Sequence, residues 1–296
     1  MNAESVWTPP DLSEQVAVVT GASRGVGRGI AEVLGECGAT VYLVARSATS
    51  PAPPGREGTL DEVAEAIVGK GGSAVVAACD LNDDSAIEAL FARVADEQGH
   101  LEILVNNAVG WSAPDADEDT GAMEFMAQPP WQAPDWWWDA NFHVGVRSHF
   151  VVTNRAAGLM VPGRRGVVFF TSERQPEEPG MQELVLDLRA TVMARMALLF
   201  SLHLRPHGIA SVLLYPGFTR TDAIERAYRR GNDYFAGWTE DDFNDRIASI
   251  QYAGRATAAI AADGNVLEHS GAIVTSFEAA CRYGFSDISG AQPDTI

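Results

Sequence analysis

Gly21, Gly25 and Gly27 stand in the stretch VVTGASRGVGRGIA, between a short β-branched run, QVAVVT, and a helix-spaced run, GRGIAEVLGECG. Glycines so placed let the chain turn sharply out of a strand, bring its backbone against a bulky anion, and pack the next helix close to that strand. The start of the helix then offers N–H groups without intrahelical partners and a partial positive charge. The chemistry this implies is the grip of a phosphate or pyrophosphate. A second group of residues worth noting is Ser172, at the end of the apolar run GVVFFTS, and the oily stretch MQELVLDLRATVMARM that follows it.

The elements needed to position these residues can be read along the chain. QVAVVT, TVYLVA, SAVVAACD, LEILVNN, GVVFFTS and IASVLLYPG are short apolar runs suited to strands buried on both faces. Helix-spaced segments separate them, near residues 60–69, 84–98, 136–160 and 183–204, with another near 254–262 before a last strand, GAIVTS. Alternation of this kind predicts one α/β domain over residues 1–296, a doubly wound parallel sheet with helices on both faces. The strongest composition shift is Trp111 to Trp138, acidic at first and then rich in proline and tryptophan. That segment and residues 222–250, with Tyr228, Tyr234, Phe235 and Trp238, are expected to overhang a pocket as insertions or a lid. Their rings would suit a bulky apolar or aromatic ligand, or else simply close the core.

TGASRGVGRGIA, CD at 79–80, NNA at 106–108, TS at 171–172 and PGFTRT at 216–221 occur in the order found in short-chain dehydrogenases/reductases. Over about residues 14 to 285 the chain resembles that family, and its C-terminal part, NVLEHSGAIVTSFEAACRYGFSDISG, is similar to a longer-tailed branch of it. The resemblance implies a Rossmann-type fold that binds a nicotinamide dinucleotide. Gly21, Ser23, Arg24, Val26 and Gly27 would cradle its phosphates. Asp80 and Leu81 would meet the adenine, and Asn107 and Ala108 the ribose beside it. Pro216, Gly217, Thr219 and Thr221 would border the nicotinamide. NAD-binding sites place a carboxylate at the end of the second strand to hold the ribose diol. Here that strand ends in VARS, with Arg46, and Arg24 lies in the glycine loop. Two guanidiniums suit a 2′-phosphate, so NADP(H) is expected over NAD(H).

In the family this resembles, a tyrosine hydroxyl exchanges the proton, a lysine four residues on assists it, a serine polarises the carbonyl and an asparagine helps relay protons. This chain has a single lysine, Lys70, with no tyrosine four residues before it. Counting back from PHGIASVLLYPG, the pair's places fall at Leu186 and Ala190, which cannot move a proton. Ser172 keeps the serine's place. The asparagine's place falls at Gly145, with Asn141 one turn earlier as a partial substitute. His143 is a titratable candidate near neutral pH, and Glu173, Arg174, Glu183, Asp187 and Arg189 are further candidates. A positioned general acid is worth typically 10²–10⁴-fold, so ordinary alcohol oxidation would be crippled without a replacement.

The 296 residues carry a formal charge of −19, with 46% hydrophobic and 21% charged residues. That charge argues against nucleic acid or an anionic membrane as partner. Cys37, Cys79 and Cys281 are too few and too scattered for a disulfide or zinc framework, which favours a reducing cytoplasm. The opening MNAESVWTPP does not resemble a signal peptide, and no run reaches the length of a membrane span. The helix near 183–204 is apolar on most of its circumference and is expected to be buried all round. The resemblance places it at a subunit interface, implying a homodimer or homotetramer. Three readings stay open: an oxidoreductase with a rebuilt proton path, a non-redox cyclase, isomerase or lyase using the same pocket, and a catalytically silent binding protein.

Overall fold

The computed structural model describes residues 7–46, 48, 58–110, 129–172, 184–232 and 235–293. Seven parallel strands form one sheet in the order β3-β2-β1-β4-β5-β6-β7. They are β1 (Val16–Thr20), β2 (Thr40–Ala45), β3 (Ser73–Ala78), β4 (Ile103–Asn106), β5 (Gly166–Thr171), β6 (Ile209–Tyr215) and β7 (Ile273–Thr275). β1, β4 and β6 are buried along their whole length. This is why VAVVT, ILVN and IASVLLY show no polar alternation: helices cover both faces.

In chain order the helices are α1 (Gly25–Glu36), α2 (Leu60–Gly69), α3 (Asp84–Gln98), α4 (Asp135–Asp139), α5 (Ser148–Gly163), α6 (Leu184–Leu204), α7 (Asp222–Arg229), α8 (Glu240–Arg246), α9 (Ile250–Ala261) and α10 (Ser276–Tyr283). On one face, Ile30 and Leu34 of α1, Val63 of α2 and Ala256 of α9 pack on Val19 and Val105. On the other, Phe91 of α3, Val152 of α5 and Met193 and Ala197 of α6 pack on Val18, Leu104 and Phe170. The sheet order reverses between β1 and β4, where connections leave in opposite directions. In sheets of this order a crevice forms at such a point, beyond the carboxyl ends of the strands. No described helix is long and apolar enough to cross a membrane.

Several expectations change in detail. The helix expected over 136–160 is three consecutive pieces: α4, a π-helical segment Ala140–Arg147, and α5. The last strand is followed by α10, whose start is closed by a capping box between Thr275 and Glu278. α6 is not buried all round. Val185, Leu186, Arg189, Ala190, Met193 and Ala197 face inward, while Leu199 and Leu202 stand out, Leu202 with 63% of its surface exposed. Residues 222–250 do not present their rings as a simple wall. Phe235, Phe243 and Ile247 form a buried cluster with Phe218, Tyr228 and Trp238, and the Tyr228 and Phe243 rings stack at 4.0 Å. These rings mainly cover one another. Trp111 and Tyr234 lie outside the described residues.

Candidate active site

The glycine loop turns from β1 into α1 at the reversal point of the sheet. Gly21 has φ 67° and Gly25 φ 55°, the left-handed region that side chains disfavour. A Cβ on Gly21 would meet the Ala108 Cα at 2.9 Å, and one on Gly27 would meet the Gly21 carbonyl oxygen at 2.3 Å. Loop, helix and β4 edge are therefore packed backbone to backbone. Side chains around them tie the arrangement. Thr20 Oγ1 accepts from the Asn107 and Ala108 N–H groups at 2.9 and 3.1 Å, and donates to the Val105 carbonyl. Asn107 Nδ2 donates to the Thr20 carbonyl at 3.0 Å and to that of Gly21 at 3.3 Å. Thr171 Oγ1 in turn donates to Asn107 Oδ1. Asn107 thus acts through its side chain as a brace for the loop.

The other cofactor candidates stand in the glycine loop or just beyond the carboxyl ends of β2, β3 and β6. Arg24 is the N-cap residue of α1, and Arg46 is exposed just beyond β2, with no acidic residue beside it at 45 or 48. Asp80 and Leu81 follow β3. The Asp80 carboxylate accepts from the N–H and Nδ2 of Asn82, at 3.0 and 3.1 Å, and Leu81 is buried. Burial first, then the charge of Asp80, pushes the neighbouring Cys79 thiol up to about 11, so no thiolate stands there. Pro216 and Gly217 follow β6, Gly217 with φ 82°. Thr219 Oγ1 donates to the Gly217 carbonyl, and Thr221 caps α7. Ser23 and Val26 are partly buried within the loop.

The catalytic candidates separate. Leu186 and Ala190 lie on the inward face of α6, 0% and 1% exposed. Leu186 joins Val185 and the fully buried Trp137 in an apolar cluster, so carbon fills the place that counting assigns to a proton donor. Lys70 ends α2 on the surface, at the edge of the sheet opposite the crevice, because each crossover helix runs back to where the next strand begins. Ser172 lies beyond β5, 2% exposed, its N–H bonded to the Leu214 carbonyl at 3.1 Å. Asn141 is buried, and His143 stands two residues on, at the exposed opposite face of the π-helical segment. The structure does not bring His143 and Asn141 together. Glu173, Arg174 and Glu183 lie outside the described residues, and Asp187 is on α6.

Two residues that sequence reasoning did not weigh as central stand close by. Arg189, 4% exposed, donates from Nη1 to Asn141 Oδ1 at 2.8 Å, and Asn141 Nδ2 donates to the Trp137 carbonyl at 2.8 Å. A Cβ on Gly145 would come within 3.0 Å of Arg189 Cδ. The arginine stem therefore crosses the place counted for the family asparagine. His149 is also buried; its Nε2 donates to the Ala108 carbonyl at 2.9 Å, with Met193 Sδ 3.3 Å from Nδ1. Desolvation, with the Arg189 charge a lesser cause, lowers this imidazole to about 3. Unfolded, it would titrate near the ordinary value, about 6.5. The unfolded chain therefore binds the extra proton below that pH, and stability falls as pH drops, by about 1.4 kcal/mol per pH unit where only the unfolded form is protonated. Urea unfolding at pH 7 and 5.5 should show this loss in the native chain and lose part of it in His149→Gln.

Comparisons with known proteins bear out the fold and the family resemblance. Residues 15–231 match the family model described as short chain dehydrogenase. Dehydrogenase/reductase SDR family member 1 of Mus musculus is 34% identical, over 94% of this chain and 85% of that protein, and its Homo sapiens counterpart is 31% identical over the same shares. A metagenomic short-chain oxidoreductase solved in complex with NADP has a TM-score of 0.67 at 26% identity, covering 89% of this chain and 98% of its own. A putative dehydrogenase from Xanthomonas campestris shares the fold with a TM-score of 0.77 at 23% identity, over 96% and 95% of the two chains. The chain belongs to the short-chain dehydrogenase family.

Proposed function

We propose that the chain is an NADP(H)-binding oxidoreductase acting on a bulky or aromatic small-molecule carbonyl or alcohol through a non-standard proton path. The observation that carries this reading is the glycine cradle: Gly21 and Gly27 have no room for a Cβ against backbone, and the loop opens a helix at the sheet's reversal point. That arrangement fits a dinucleotide. Gly21, Ser23, Arg24, Val26 and Gly27 would hold its pyrophosphate, Asp80 and Leu81 its adenine, Asn107 and Ala108 the adjoining ribose, and Pro216, Gly217, Thr219 and Thr221 its nicotinamide end. When bound, the group supplies a hydride at one carbon. The chain's own residues orient the acceptor, exclude water through Trp137 and Leu186, and offer Ser172 to a carbonyl oxygen.

Arg24 and Arg46 support the phosphorylated dinucleotide, as does the NADP held by the metagenomic relative. Arg46→Asp is expected to weaken NADPH binding at least tenfold while leaving NADH binding equal or tighter, measured by quenching of tryptophan fluorescence. Equal losses for both would remove the 2′-phosphate assignment. The apolar filling around Leu186 supports a second reading, in which the dinucleotide is bound but not consumed; turnover that oxidises NADPH would exclude it. The exposed Leu199 and Leu202 of α6 support a homodimer or homotetramer through that helix, and sedimentation of Leu202→Glu as a monomer would test it. A cytoplasmic location is part of the same reading, resting on the three free thiols.

A further inference from the structure

The phenol missing from α6 has a counterpart on the neighbouring strand. β5 and β6 pair in parallel, with Thr171 opposite Leu214, and the Ser172 N–H continues that ladder to the Leu214 carbonyl at 3.1 Å. One step further, Ser172 and Tyr215 are lateral neighbours, on strands about 4.8 Å apart. Residues paired in this way share a face of the sheet. On β6 that face is fixed by Ser211, whose Oγ donates to the Ala197 carbonyl of α6 at 2.9 Å, and by Leu213, which packs with Met193 and Ala197. Tyr215 follows by strand alternation. On β5, Phe170 belongs to the same cluster, and Ser172 follows it.

The height is also right. From Ser211 to Tyr215 the strand rises about 13 Å. From Ala197 back to Ala190 the helix, running the opposite way, climbs about 10 Å. Tyr215 is thus level with the Leu186–Ala190 turn of α6, and directly precedes Pro216 and Gly217. It is 8% exposed and Ser172 is 2% exposed, so both hydroxyl-bearing side chains stand where water is scarce.

We propose that Tyr215 is the proton donor of this site, a phenol supplied by β6 in place of one on α6, acting beside Ser172 on a substrate carbonyl. As the carbonyl carbon takes the hydride from the reduced nicotinamide, the C=O π pair moves to oxygen, and that oxygen takes the Tyr215 hydroxyl proton. The dinucleotide leaves oxidised, and the phenolate is reprotonated from solvent. The reverse sequence oxidises an alcohol. The inference rests on the dinucleotide reading above.

The test uses the whole chain and two aldehyde probes. With NADP⁺ bound, no hydride is available, and 4-(dimethylamino)cinnamaldehyde reports polarisation of its carbonyl by a red shift in absorbance. The native chain should give a saturable shift, Ser172→Ala a smaller one and Tyr215→Phe almost none. With NADPH bound, Tyr215→Phe should slow single-turnover reduction of 4-nitrobenzaldehyde at least a hundredfold, with NADP⁺ affinity unchanged. An equal shift in the native chain and Tyr215→Phe, or no shift in the native chain while NADP⁺ binds, overturns the role of Tyr215 alone. Absence of NADP⁺ binding overturns the dinucleotide reading, and this proposal with it.

Discussion

Gly27→Ala is expected to lower affinity for the dinucleotide on the order of 100-fold, equivalent to about 2.7 kcal/mol. The added methyl group would lie 2.3 Å from the Gly21 carbonyl oxygen and 2.4 Å from Asn107 Nδ2. Neither contact can relax cheaply. The first is backbone in the turn itself, and the second is the brace that bonds the Thr20 and Gly21 carbonyls. Relief requires moving α1 away from β1, which withdraws the N–H groups that would face a pyrophosphate. Overpacking alone would cost about 1–3 kcal/mol of stability, so the substitution should fold and bind weakly. Equilibrium binding monitored by fluorescence, alongside a urea unfolding curve, separates the two effects. Gly25→Ala provides a contrast: its methyl group would meet only Thr221 side-chain atoms at 3.5 and 3.9 Å, and its penalty lies in the left-handed φ of 55°.

Trp137→Ala should cost about 3–5 kcal/mol in unfolding free energy, a large part of the 5–15 kcal/mol typical of a domain. The indole is fully buried and shares its cluster with Val185 and Leu186, so truncation leaves a cavity lined by side chains of two helices. The effect should reach the site. Asn141, which bonds the Trp137 carbonyl and receives Arg189, sits one helical turn beyond the hole. Trp138→Ala is expected to cost far less, because that ring is 44% exposed and its main partner is the stacked Phe142 ring at 4.0 Å. Chemical denaturation of both variants checks the difference; equal losses would show that burial of Trp137 does not hold the region.

The sheet was legible because its strands are buried on both faces, and runs such as VAVVT and IASVLLY leave little else to be. The glycine loop was legible because three glycines at that spacing answer to a steric demand, which the Gly21 and Gly27 contacts satisfy. The π-helical segment at 140–147 was not: a wider turn has no periodic signature in eight residues, yet it sets Asn141 and His143 on opposite faces. Nor could composition tell that Phe243 would stack on Tyr228 with Phe235 edge-on to both, closing a small cluster of their own. Leu186 and Ala190 could be counted from the sequence, but the indole that packs against Leu186 comes from another helix. The neighbourhood of Ser172 and Tyr215 depends on strand register, which a single sequence does not reveal before the pairing is known.

On this reading the chain grips a nicotinamide dinucleotide although its sole lysine, Lys70, lies at the far edge of the sheet. Isothermal titration of the native chain with NADPH tests it most directly. The expected result is saturable one-to-one binding, tighter for NADPH than for NADH and about 100-fold weaker in Gly27→Ala. No heat of binding with either nucleotide up to millimolar concentration would contradict it.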